Sequence, residues 1–102
     1  MAILFRDTMV QGNFQISMKE KILKFVKDLH TRYKFTAKYG EYESVENKLC
    51  FIEVDEYLNH DPEYCKETLA FCFDNYEQGI VIIFTSESEN LYHNEITDWE
   101  II

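Results

Sequence analysis

The acidic side chains in the second half of this chain are the groups whose types and spacing could do chemistry. Glu53, Asp55 and Glu56 sit together, with Asp61 and Glu63 a few residues on. Asp74 and Glu77 follow, then Glu87 and Glu89, and Glu95, Asp98 and Glu100 run to the C-terminus. Carboxylates so placed could hold a divalent cation, but Asp55-Glu56 and Asp61…Glu63 lack the regular alternation and the glycine of a calcium loop. No metal and no cofactor is expected. His30, His60 and His93 could serve as acid–base groups, as in a three-histidine nuclease. His30, however, borders an apolar helical stripe, and the other two fall in loops without a nucleophile motif. Cys50 and Cys72 read as small core residues on strands. Cys65 sits near a helix start, but acids surround it and its thiol is not expected to be reactive. With no nucleophile elbow, phosphate loop or metal spacing, the sequence points away from an enzyme.

Recognition is the remaining use for so many carboxylates. The formal net charge is −9, which argues against nucleic acid as a direct ligand, because phosphate binding needs a basic face. The charge is also polarised. Residues 1–40 carry eight Lys and Arg against three acids, a balance of +5, whereas residues 41–102 carry two Lys against sixteen acids, a balance of −14. Tyr57, Tyr64, Tyr76, Tyr92 and Trp99 are interleaved with those acids, and aromatic anchors in charged surroundings are the material of interface hot spots. An acidic field of this kind raises the on-rate for a basic partner and discriminates against acidic ones. Solvated acids with tyrosines half-buried at a sheet margin are the plainer alternative.

Elements must position these groups. Hydrophobic residues make up 46% of the chain and aromatics 16%, enough for one core and too much for disorder. Ala2–Phe5 is short and apolar and could form an edge strand, followed by turn residues at Gln11-Gly12-Asn13. Ser17-Met18-Lys19-Glu20 has the form of a capping box. Met18, Ile22, Phe25, Leu29 and Tyr33 then recur at helical spacing, predicting an amphipathic helix over about 18–34. Its other face is basic, and a solvated helix face accounts for that. From Phe35 the period falls to two, with Phe35, Ala37 and Tyr39 on one side and Gly40 as a bulge or bend. Glu46-Asn47-Lys48 reads as a hairpin turn and Leu49–Asp55 as the next strand. Asp61-Pro62-Glu63 carries cap, N1 proline and first-turn acid, the start of a helix. That helix is expected to be brief, because Leu69, Phe71 and Phe73 alternate as a third strand. Asn75–Gly79 would turn it into Ile80–Thr85, its hairpin partner. The run Gly79–Thr85 is β-branched and continuously apolar, the pattern of a strand buried on both faces. Glu95–Ile102 would form the last strand.

The expectation is one α+β domain over residues 1–102, an antiparallel sheet of four to six strands with one long amphipathic helix packed on a face. One helix covers one face. The other must be shielded by the short helix, the N-terminal segment, a second copy or a partner. No stretch is apolar for the roughly 18 residues a spanning helix needs, and the N-terminus is not a secretory signal. Three cysteines without metal spacing read as free thiols of a cytoplasmic protein.

The acidic, tyrosine-studded second half, the single helix and the cytosolic thiols together resemble bacterial toxin-immunity proteins, among them those of contact-dependent growth inhibition systems. The resemblance is one of overall character and rests on no motif. It implies an acidic patch that meets the basic, nucleic-acid-binding face of a cognate toxin domain. Glu53, Asp55, Glu56, Asp74 and Glu77, with Tyr57 and Tyr76, are the contact residues it suggests. The basic helix departs from a uniformly acidic picture. The alternative is a small self-associating adaptor, a homodimer through an exposed sheet edge or face, recognised by self-association that salt leaves intact.

Overall fold

The capping box forms as written. In a computed structural model, which describes residues 16–102, the Ser17 hydroxyl accepts from the Glu20 amide at 3.1 Å and the Glu20 carboxylate accepts from the Ser17 amide at 3.1 Å. The Ala2–Phe5 strand and the turn at Gln11-Gly12-Asn13 lie outside the described residues. Helix α1 spans Met18–Leu29, stopping short of the expected end at residue 34. Its last turn closes at His30, whose amide reaches the Val26 carbonyl, and a turn through Arg32 follows. Ile22, Val26 and Leu29 are its fully buried face, each stabilising the fold by about 1.5–3 kcal/mol through burial.

Strands β1 (Ala37–Glu43) and β2 (Lys48–Val54) form the expected hairpin, with Ala37 opposite Val54 and Glu43 opposite Lys48. Ser44 holds the turn: its amide donates to the Asn47 carbonyl at 2.8 Å and its hydroxyl accepts from the Asn47 amide at 3.0 Å. Beyond this hairpin the expected topology fails. Leu69–Phe73 is not a strand but the second half of helix α2, Pro62–Asp74. Asp61 caps it through the Tyr64 amide at 3.0 Å, and Pro62 sits in the first turn. Two helical stripes interleave here and mimic a period of two. Tyr64, Thr68 and Phe71, spaced four and three apart, face inward, while Leu69 and Phe73, four apart, face out.

Because α2 carries the chain back across the sheet, strand β3 (Ile80–Thr85) pairs parallel to β2 instead of forming a hairpin. A two-residue strand, β4 (Glu100–Ile101), pairs antiparallel with β1 where a longer last strand was expected. The sheet is therefore mixed, four strands in the order β3–β2–β1–β4, with two helices of similar length. The apolar run that looked central is an edge strand. The helices share one face of the sheet, and Phe25 of α1 stacks on Phe71 of α2 at 4.1 Å and meets Phe84 of β3 edge-on at 5.8 Å.

The second face is covered by the chain's own C-terminal segment. Tyr92 stacks on Tyr42 at 4.6 Å and leans on Phe51 at 5.7 Å. Ile96 and Trp99 lie over Gly40, where an added Cβ would stand 2.8 Å from each. Gly40 is thus neither bulge nor bend: it keeps regular pairing with Phe51 and leaves room for the cover. Neither a second copy nor a partner is needed to shield β1 and β2. No helix among the described residues is long and apolar enough to cross a membrane.

Candidate functional site

The parallel β2–β3 pair brings its two carboxyl ends side by side, and the acids after each strand meet there. An open cleft of about 620 Å³ lies between the residues following β2 and those following β3. Asp55 and Glu56 line it from the β2 end, Glu87 from the β3 end, and Asn90 and His93 complete the lining. No Lys or Arg lines it among the described residues. A smaller recess of about 350 Å³ shares Asp55 and Glu87 and reaches Lys38 and Ile101. Clefts at the carboxyl ends of parallel strands are where open α/β sheets place ligands, because loops diverge there.

Under the cleft lies Glu53, only 4% exposed. It points to the second face of the sheet, where its carboxylate accepts from Asn90 Nδ2 at 3.1 Å and from His93 Nδ1 at 2.6 Å. Lys38 Nζ stands 3.6 Å away. The opposite ring nitrogen of His93, Nε2, lies 3.3 Å from the Glu87 carboxylate. The ring also packs on Trp99 at 5.6 Å, and Lys38 sits over the same indole at 5.2 Å. Glu53 thereby ties the C-terminal cover to the sheet. A buried carboxylate must find such donors or forfeit its hydration uncompensated.

The seven contact residues suggested by sequence separate into two groups. Glu53, Asp55, Glu56 and Tyr57 follow one another at the end of β2, and only the last two are exposed. Glu53 is engaged internally and, at 4% exposed, only touches the smaller recess. Asp55 is half-buried and accepts from both the amide and the hydroxyl of Thr36 at 3.0 Å, which pins the entry to β1. The Tyr57 hydroxyl donates to the Lys34 carbonyl, so its ring is held against the surface beside Glu56. Asp74, Tyr76 and Glu77 lie at the other end of the sheet, where α2 turns into β3. The length of β3 divides the groups, about 17 Å at ~3.3 Å per residue.

Glu87, Asn90 and His93 complete the cleft, and no local pattern couples them to Glu53, some forty residues earlier. The donors of Glu53, Glu87 and His93 lie within 4.8 Å of one another, a set that could meet a metal ion. The two carboxylates engage opposite ring nitrogens, so a cation at Nε2 would have His93 and Glu87 as ligands and Glu53 only orienting the ring. Two ligands fall short of the three or four protein donors that zinc sites use. Beside the Glu53–His93 pair, Ser86 and Ser88 bond to each other at 3.1 Å, and among the described residues no hydroxyl or thiol bonds His93. The three cysteines are free thiols. Burial pushes Cys50 and Cys72 up, away from thiolate character, and Cys72 lies on α2 instead of a strand.

The structure defines an α+β protein with an acidic cleft at the carboxyl end of a parallel strand pair. No protein-family model, curated protein or solved structure matches the chain.

Proposed function

We propose that this chain is a small acidic binding protein that neutralises a basic protein, a nuclease toxin being the partner class that fits, by covering its nucleic-acid-binding or active-site face. The observation that carries the reading is the cleft itself, lined by Asp55, Glu56 and Glu87, with no Lys or Arg in its lining among the described residues. Carboxylates spaced along two loops can take the place that phosphates occupy on such a partner. They attract lysine and arginine side chains at long range and reject acidic surfaces. Tyr57, exposed and fixed through its hydroxyl, is the aromatic anchor beside them.

The test is capture from a lysate of the source cells on immobilised protein, at low and then high salt, with wild type and a Glu56→Lys, Glu87→Lys double variant. These two carboxylates are exposed, so their reversal leaves the core intact. A stoichiometric basic protein, weakened by salt and bound at least about tenfold less tightly by the variant, supports the reading. A partner that the variant holds as firmly as wild type does would remove the cleft from the account. A blank with a salt-resistant dimer would favour the self-associating adaptor, for which exposed Leu69 and Phe73 are the feature in its favour.

A further inference from the structure

Strand β3 is an edge strand with an overhanging roof. Lys48 is aligned with Ile80, and its amide donates to the Gly79 carbonyl at 2.8 Å. In a parallel ladder that register engages the odd-numbered residues of β3 with β2 and turns the backbone groups of Ile82 and Phe84 outward. Among the described residues no strand pairs with that edge, and the Ile82 carbonyl has only the Cys72 thiol of α2, at 3.6 Å. Helix α2 projects past the edge. Leu69, Phe73 and Tyr76 are 60%, 74% and 74% exposed, and with Ile80, Val81 and Ile82 they wall an apolar groove of about 200 Å³. Unpaired strand backbone and exposed apolar side chains therefore meet along this edge. Proteins blunt exposed edges with charge, proline or bulges, and the middle of this one has none of them.

We propose that this edge receives an extended segment of a basic partner as a fifth strand, its apolar side chains under Leu69, Phe73 and Tyr76 and its Lys or Arg residues at the two ends. The choice of occupant follows from charge. Asp74 and Glu77 precede β3, and Glu87 and Glu89 follow it, so a strand lying along the edge has carboxylates at both ends. An antiparallel pairing of two copies would set the acidic start of one β3 beside the acidic end of the other, on chains that each carry −9. A second copy is repelled where a basic-flanked strand is attracted. Backbone hydrogen bonds would supply affinity and the flanking charges the choice of partner, as in other cases of strand addition. The added strand would end near Glu87, which also lines the acidic cleft. The proposal therefore rests on the reading that the partner is basic, and it extends the contact from the cleft along β3.

The probe is a ten-residue peptide of alternating threonine and valine with two lysines at each end, compared with the same peptide ended in glutamates. Amide exchange of the intact protein is followed residue by residue. Exchange at Ile82 and Phe84 is expected to slow at least tenfold with the lysine-ended peptide, with tenfold weaker binding of the glutamate-ended one and of either peptide to the Phe73→Ser variant. Phe73 is exposed, and this change leaves the fold in place. If both peptides protect Ile82 and Phe84 equally, strand addition holds but the basic-partner reading falls. If lysine-ended peptide binds, is lost with Glu56→Lys, Glu87→Lys, and leaves Ile82, Phe84 and Phe73→Ser indifferent, the edge proposal falls and the basic-partner reading stands. No binding of either peptide at millimolar concentration overturns the proposal. So does a dimer that dissociates on Phe73→Ser, or faster exchange at Ile82 and Phe84 when residues 1–15 are deleted.

Discussion

Removing the Glu53 carboxylate should destabilise the whole fold, and the amount can be worked from its partners. His93 at 2.6 Å and Asn90 at 3.1 Å make charge-assisted bonds in a buried setting, each contributing on the order of 1.5 kcal/mol. Lys38 at 3.6 Å is over a third exposed, so solvent screening leaves it little. Glu53→Ala should therefore cost about 3 kcal/mol, within the range for breaking one side of a buried polar pair. With a urea m-value of about 1.5 kcal/mol/M, the midpoint falls by about 2 M, and the Tm drops by at least about 12 °C. Trp99, the single tryptophan, reports the cause separately, because it packs on His93 in the segment that Glu53 anchors. Its emission should shift to the red in Glu53→Ala below the unfolding transition, and Glu53→Gln, which keeps one acceptor, should recover part of both effects. A midpoint within about 0.3 M of wild type, with Trp99 emission unchanged, would refute the anchoring role. The same result would return Glu53 to the list of surface contacts.

Three further outcomes are expected. Gly40→Ala places a methyl 2.8 Å from Ile96 and the Trp99 ring, and overpacking there should cost about 1–3 kcal/mol in chemical denaturation, with a Trp99 emission change that Glu53→Ala also produces. Tyr64→Phe should be neutral or stabilising by up to about 1 kcal/mol in the same assay, because the Tyr64 hydroxyl is buried without a hydrogen-bond partner among the described residues. Burial pushes the Glu41 carboxyl up, but the Tyr39 hydroxyl at 2.6 Å and the Lys48 ammonium at 3.2 Å outweigh it and hold Glu41 below its ordinary 4.5. Its contribution is therefore present above pH 4.5 and lost as pH falls through the lower folded value, so Glu41→Gln should flatten acid unfolding by under about 1 kcal/mol.

Local signals in this chain were legible wherever a residue's partners lie within a turn or so of it. Ser17 and Glu20 cap α1 and Asp61 and Pro62 start α2 as the letters imply, and a hairpin turn joins β1 to β2, set at Ser44–Asn47 where Glu46-Asn47-Lys48 was expected. The period of two at Leu69, Phe71 and Phe73 misled because a short helix with two apolar faces writes the same letters as a strand. That one misreading carried the topology with it. A helix there forces a crossover, the crossover makes β3 parallel to β2, and the apolar run at Ile80–Thr85 becomes an edge.

What the sequence determined by itself is an α+β fold with a capped amphipathic helix, a hairpin after it and a charge dipole whose larger end is acidic. Spacing and charge along a chain suffice for these, since helix caps, hairpin turns and net charge are decided by neighbours. Only the tertiary structure decided which acids are usable. Glu53 reads like its neighbours Asp55 and Glu56, yet the pleat turns it to the second face, under a segment that returns some forty residues later. Asp74 and Glu77, grouped with the same patch from the sequence, end the length of a strand away, while Glu87 arrives beside Asp55 because parallel strands bring like ends together.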